Sequence, residues 1–409
     1  MSTLHPFRAL RPAADQASAV SSVPYDVVSA DEARQIAGGN PLSFLHVTRS
    51  EIDLPPETDP YAPAVYAKAR ENLDTLTRRA PLITDDEPSI YLYRLRMGEH
   101  EQTGVAACFS LDEYERDAIK KHERTRRDKE DDRTRHIIET RAQTGVVFLT
   151  YRAVRDIDAI AQEVAAGRPL YAFTAEDGIR HTVWRADAAA TRKLVQAFAR
   201  VPALYIADGH HRAASAARAR AELKQRSSVP GGAGEVDTFI AVAFPDNQMQ
   251  ILPYNRLVKD LAGRTPEAFL AALRERFPVS AGPSQPPSRG QVSMYLAGAW
   301  HVVDLSSAKP VDGSRAAALD VARLQQHVLE PLLAIGDVRT DKRIDFVGGA
   351  RGTAALEQAV DEGRAAVAFS MFPVTIGDLI AIADEGGIMP PKSTWFEPKL
   401  RDGLLVHVI

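Results

Sequence analysis

Short apolar runs alternating with amphipathic stretches predict the elements of this chain. Ser89 to Met97 (SIYLYRLRM) has strand periodicity, and Thr103 to Phe109 answers it across Gly98-Glu99-His100, a hairpin signal. Gly145 to Tyr151 and Ala203 to Ala207 read as buried strands, and Leu170 to Phe173 pairs with Gly178 to Trp184. Further on, Asp237 to Phe244 and Met249 to Leu252 flank Pro245-Asp246-Asn247 as a second hairpin. Val292 to Leu296 pairs with His301 to Leu305, and Ala365 to Met371 is another apolar strand. Helical periodicity covers Pro63 to Arg79, with Val65, Ala69, Leu73 and Leu76 on one face. It recurs in Asp156 to Ala166, Asp187 to Arg200, Pro266 to Phe277 and Ile376 to Ala383. Val321 to Ala334 has the same pattern, which Pro331 should kink or end.

The N-terminal stretch predicts smaller elements. Val23 to Val27 reads as extended, Ser29 caps a short helix, and Phe44 to Val47 reads as a strand. Asn40, His46 and Arg49 around it suit turn and surface chemistry. The alternation of strands and helices gives an α/β or α+β class with mixed sheets. Ser227 to Gly234 (SSVPGGAG) is the clearest loop, so domains over 1–226 and 235–409 are expected. The closing loop is expected to return to the cleft of the first domain.

With 409 residues the chain is long enough for more than one core. Its 45% hydrophobic and 25% charged residues are those of an ordinary globular protein. A net charge of -4 argues against a protein that coats nucleic acid, which needs a basic excess. The single cysteine, Cys108, lies in the apolar run VAACFSL and reads as a buried thiol. No apolar run approaches the ~18 residues of a membrane span, and the N-terminus lacks a signal-peptide core. A cytoplasmic location is expected.

Chemistry concentrates at LYIADGHHRAASAARAR, Leu204 to Arg220. A strand meets a polar corner, Asp208 and Gly209, and an Ala-rich helix opens with His210, His211 and Arg212. Unpaired N–H groups and the positive end of the helix dipole make such a start an anion cradle. A second cluster is the charged run Asp112 to Arg141. Lys120, Lys121, His122, Glu123, Thr125 and Arg133 there are acid–base and phosphate-binding types. Its apolar positions are too sparse for a buried helix, so it reads equally as a solvated face and as a flexible segment folding over substrate. Lys392, Ser393, Thr394 and Lys399, between prolines, suit phosphate or carboxylate and equally an ordinary polar loop. The Gly348-Gly349-Ala350-Arg351-Gly352 loop has no lysine in P-loop position and is weak as a phosphate motif.

The segments VPYDVVS, NPLSFLHVTR, KKHERTRRDKEDDR, YIADGHHRAASA, RIDFVGG and MPPKSTWFEPKLRDGL, in this order, resemble a prokaryotic family known as domain of unknown function 1015. The D-G-H-H-R corner is also similar to that of the ParB and sulfiredoxin-like superfamily, which includes free serine kinases. That resemblance implies a ParB-like nucleotide-binding core plus a second α/β domain. It also implies phosphoryl transfer from ATP, ADP or pyrophosphate, with Mg²⁺, to a small hydroxyl substrate such as serine. In that reading His210 or His211 contacts the phosphate, and Arg212 and Gly209 support the phosphate or the corner. Asp208 holds Mg²⁺ or caps the helix, Glu123 is the base, and Lys120 and Lys121 draw in the anion. Two rivals remain: a ParB-type nucleotide- or nucleic-acid-binding regulator without turnover, and a phosphatase or nucleotide hydrolase. The partners implied are nucleotide and small substrate; nucleic acid and membrane are not expected, and the oligomeric state is left open.

Overall fold

The computed structural model describes residues 2–79, 82–226 and 234–409, and most of the expected Ser227 to Gly234 loop lies outside them. The chain divides into two compact units, residues 1–249 with 398–409, and residues 250–397. Both are mixed α/β.

The first unit is built on a nine-stranded sheet. Its strands are β1 (Leu4–His5), β2 (Tyr91–Met97), β3 (His100–Ser110), β4 (Ile119–Lys120), β5 (Val147–Tyr151), β6 (Tyr171–Thr174), β7 (Arg180–Arg185), β8 (Leu204–Asp208) and β9 (Thr238–Pro245). The spatial order is β4-β8-β5-β9-β3-β2-β7-β6, with β1 paired to β3. Strand β8 runs parallel to β4 and antiparallel to β5, while β9 is parallel to β5 and antiparallel to β3. Every residue of β9 is buried, as a central strand covered on both faces demands. The helices of this unit are α1 (Ala30–Ala37), α2 (Pro63–Arg79), α3 (Arg127–Thr140), α4 (Arg155–Ala165), α5 (Ala188–Phe198) and α6 (His210–Arg226). Ser29 and Glu32 form a reciprocal capping box on α1, and Asp187 caps α5 through the amide of Ala190. Helix α3 packs against α6 and α2. Cys108 is buried.

The second unit is a six-stranded antiparallel sheet. It comprises β10 (Tyr254–Val258), β11 (Val279–Ala281), β12 (Gln291–Leu296), β13 (Ala299–Asp304), β14 (Ile344–Gly348) and β15 (Val367–Met371), ordered β11-β13-β12-β15-β10-β14. Its helices include α7 (Pro266–Arg274), α8 (Ala354–Asp361) and α9 (Ile376–Asp384).

Four expectations are corrected. Phe44 to Val47 is no strand: Leu45–Thr48 is a helical turn closed by the Val47 and Thr48 amides on the Phe44 carbonyl. Phe44, Leu45 and Val47 are all buried, which erases the periodicity that separates helix from strand. Tyr25–Val27 is a 3₁₀ turn, since Pro24 restrains only the residue before it. Thr238–Pro245 and Ile251–Leu252 do not form a hairpin. Both edges of β9 are occupied by β3 and β5, and Ile251–Leu252 pairs with Trp395–Phe396 instead. Around Pro331, expected to kink or end its helix, a π turn over Gln325–Leu329 precedes the proline and the helix ends at Leu333. The charged run is neither wholly solvated nor irregular. Arg127–Thr140 is a helix that buries Asp132, Thr134, His136, Ile137 and Thr140, and Asp132 accepts from the Tyr66 hydroxyl at 3.0 Å.

Candidate functional site

The corner forms where β8 ends beside β5 and β4. A bulge between Ile206 and Asp208 ends the regular pairing, and Gly209 turns the chain at φ +98°, where a side chain is strained. A Cβ there would also lie 3.1 Å from an Arg212 guanidinium nitrogen. His210, His211 and Arg212 then fill the first turn of α6, whose amides lack intrahelical acceptors.

Both histidines hold the adjacent loop. The His122 amide donates to His210 Nε2 at 3.4 Å, and the Arg126 amide donates to His211 Nε2 at 2.9 Å. An imidazole nitrogen that accepts is unprotonated, so the proton of each neutral ring sits on Nδ1. His210 Nδ1 faces Glu123 Oε2 at 3.9 Å. The His122 and His210 rings meet edge to face, with centroids 4.4 Å apart. Burial lowers His122 to about 4, and its Nδ1 has no partner. Burial and then His122 push His210 well below the ordinary histidine value, and burial lowers His211 too. The loop between the clamped amides carries Glu123, whose side chain is 50% exposed, so the carboxylate faces solvent from a fixed backbone.

Charges behind the corner are arranged in series. Arg212 is buried, donates to the Val146 carbonyl and to Asp26 Oδ2 at 3.0 Å, and lies 3.7 Å from Asp208 Oδ1. Burial opposes its charge, but Asp26 and Asp208 outweigh that and raise its pKa. Lys399 Nζ meets Asp208 Oδ2 at 2.9 Å. Burial alone would raise Asp208, yet Lys399 and Arg212 hold it well below the usual carboxylate range. Asp402 is buried and pushed up to about 7 by that burial, against the pull of Arg212. One of its oxygens has no partner.

The other expected residues fall into three groups. Lys120 lies in β4, its Cα registered against that of Tyr205 in β8. Thr125 donates to Glu130. Lys121 is engaged elsewhere, with Asp117 at 2.6 Å and over the Tyr114 ring. Arg133 bonds Asp132 and the Thr48 carbonyl and stacks over Tyr25 at 4.3 Å. Lys392, Ser393 and Thr394 belong to the second unit, where Ser393 donates to the Pro390 carbonyl. Asp26 and Asp402 escaped the sequence reading of the site, although VPYDVVS and KLRDGL were in view; neither motif says that its aspartate meets a helix start far away in the chain.

No group of three or more His, Cys, Asp or Glu suited to a metal occurs among the described residues. Asp208 fits Mg²⁺ only as a lone carboxylate beside phosphate oxygens, a mode in which that ion keeps several waters. No helix among the described residues is long and apolar enough to cross a membrane.

Among solved structures, the chain is similar to a C-terminally truncated SbnI from Staphylococcus aureus. The identity is 11% over 74% of this chain and 87% of that one, with a TM-score of 0.39. A conserved hypothetical protein from Pyrococcus furiosus matches at 12% identity over 74% and 95% of the two chains, TM-score 0.36. A free serine kinase in complex with AMP matches at 12% identity over 74% and 91%, TM-score 0.35. No curated protein matches the sequence. Residues 4–322 match the model of the family described as protein of unknown function (DUF1015), and the chain belongs to that family.

Proposed function

We propose that this protein transfers a phosphoryl group from a nucleotide to a small hydroxyl substrate, with serine the first candidate. The observation that carries the reading is the clamp: His210 and His211 fix the loop amides on either side of Glu123, whose half-exposed side chain lies beside His210 at the start of α6.

Phosphoryl transfer asks the protein mainly for positioning and for neutralisation of charge. The first-turn amides of α6 receive phosphate oxygens. Lys399 supplies a cation within reach of Asp208, and Arg212 stays behind, holding Asp26 and the Val146 carbonyl. Glu123 accepts the substrate hydroxyl proton while that oxygen bonds to the terminal phosphorus of ATP or ADP. The bond from that phosphorus to the bridging oxygen breaks, and ADP or AMP leaves. Asp208 is the carboxylate that would hold Mg²⁺ entering with the nucleotide, and the ion would supply neutralisation of phosphate charge.

The test is incubation with ATP, ADP or pyrophosphate, Mg²⁺ and a panel of hydroxyl compounds. A phosphorylated acceptor supports transfer. Phosphate released without an acceptor would make the protein a hydrolase, and nucleotide binding without turnover would make it a regulatory module.

A further inference from the structure

A second cluster of charge lies wholly within residues 250–397. Strands β10 and β14 pair with Tyr254 opposite Gly348 and Arg256 opposite Phe346, so these four positions share one face of the sheet. Gly348 leaves room for Trp395, since a Cβ there would meet the indole at 2.4 Å. The Tyr254 ring lies 5.0 Å from Trp395 and 5.7 Å from Phe346. Over these rings stand two cations. Arg256 is 5.5 Å from Phe346, and Lys392 Nζ is 5.4 Å from Tyr254 and 5.9 Å from Phe346.

Arg256 is only 3% exposed, yet it bonds nothing but the Tyr254 and Lys392 carbonyls. No carboxylate among the described residues pairs with Arg256 or Lys392. Two of the five guanidinium N–H donors have acceptors, and burial pushes Arg256 down to about 10. A buried cation normally sits against an anion, because the desolvation cost is otherwise uncompensated. Lys392 adds an exposed ammonium and a left-handed backbone at φ +57°, a strained conformation for a residue with a side chain. The uncompensated charge of Arg256 and the ammonium of Lys392 meet over the same Phe346 ring.

We propose that Arg256 and Lys392, seated over the Phe346 and Tyr254 rings, bind a phosphate group, free or carried by a nucleotide. This site is separate from the Glu123 corner and does not depend on the reading given to it. The chain has three tryptophans, so a Trp184→Phe, Trp300→Phe protein leaves Trp395 as sole reporter. Its emission is titrated with orthophosphate and with AMP, with circular dichroism as the check on folding. A saturable change is expected, weakened about tenfold or more by Lys392→Asn, which tolerates the left-handed backbone, and unaltered by Gly209→Ala, which disturbs the corner. Tighter binding of AMP identifies a nucleotide-borne phosphate; equal affinity identifies phosphate alone. No saturable change with either probe, or one that Lys392→Asn leaves at full affinity, overturns the proposal. So does a signal weakened by Gly209→Ala.

Discussion

A half-exposed carboxylate on a loop whose flanking amides are held by two imidazoles is placed to take a proton from a substrate hydroxyl. Glu123→Gln keeps shape and loop contacts but removes the base. Phosphoryl transfer should fall by roughly 10²- to 10⁴-fold with nucleotide binding and thermal midpoint little changed, as steady-state kinetics and calorimetry would show. The clamp itself depends on pH. His211 must be unprotonated at Nε2 to accept the Arg126 amide, and its folded pKa is lowered from 6.5 by burial. The contact is therefore intact at and above that ordinary value and is lost as pH falls through the lowered one. Turnover should be flat through neutrality and drop on the acid side; an acid limb that begins above neutrality would disprove this use of the histidine.

At the level of elements, the corner works because a strand, a glycine and a helix start coincide within a few residues. Gly209→Ala forces a side chain into φ +98° and against Arg212. A loss on the order of 1–3 kcal/mol is expected by denaturant unfolding, together with reduced nucleotide binding. This corner was legible because LYIA is apolar and D-G-H-H-R follows at once. Helix α3 was not. Its Asp132 and Arg133 look like surface residues until Tyr66 and Tyr25 are seen across from them, and those partners come from distant segments. The failed hairpin after β9 has the same cause. A turn signal reports a change of direction, whereas the pairing of β9 with β3 and β5 is decided by strands the local sequence does not contain. The roles of Asp26 and Asp402, and the pairing of Lys399 with Asp208, were hidden likewise, because only folding brings both ends of the chain to Arg212 and Asp208.

The whole molecule carries several buried groups whose ionisation differs from that of the unfolded chain. His122 and His136 lie near 4 and His181 near 3, each lowered chiefly by burial. Below about 6.5 the unfolded chain binds protons that the folded protein refuses, so each costs up to about 1.4 kcal/mol per pH unit as acid is added. Asp402, raised to about 7, acts in the opposite direction: its contribution is complete below the ordinary carboxylate value and is lost as pH rises through 7. Stability should thus fall from pH 6.5 toward 4, since three histidines outweigh one aspartate. Asp402→Asn should raise the thermal midpoint at pH 8 more than at pH 5. Equal shifts at both values would show that Asp402 is ionised in the folded protein. The most direct test of the central claim is the reaction itself: wild-type and Glu123→Gln proteins with ATP or ADP, Mg²⁺ and serine, followed by detection of phosphoserine. Phosphoserine from the wild type and nearly none from the variant is the predicted result; nucleotide hydrolysis indifferent to any acceptor, or equal product from both proteins, would contradict it.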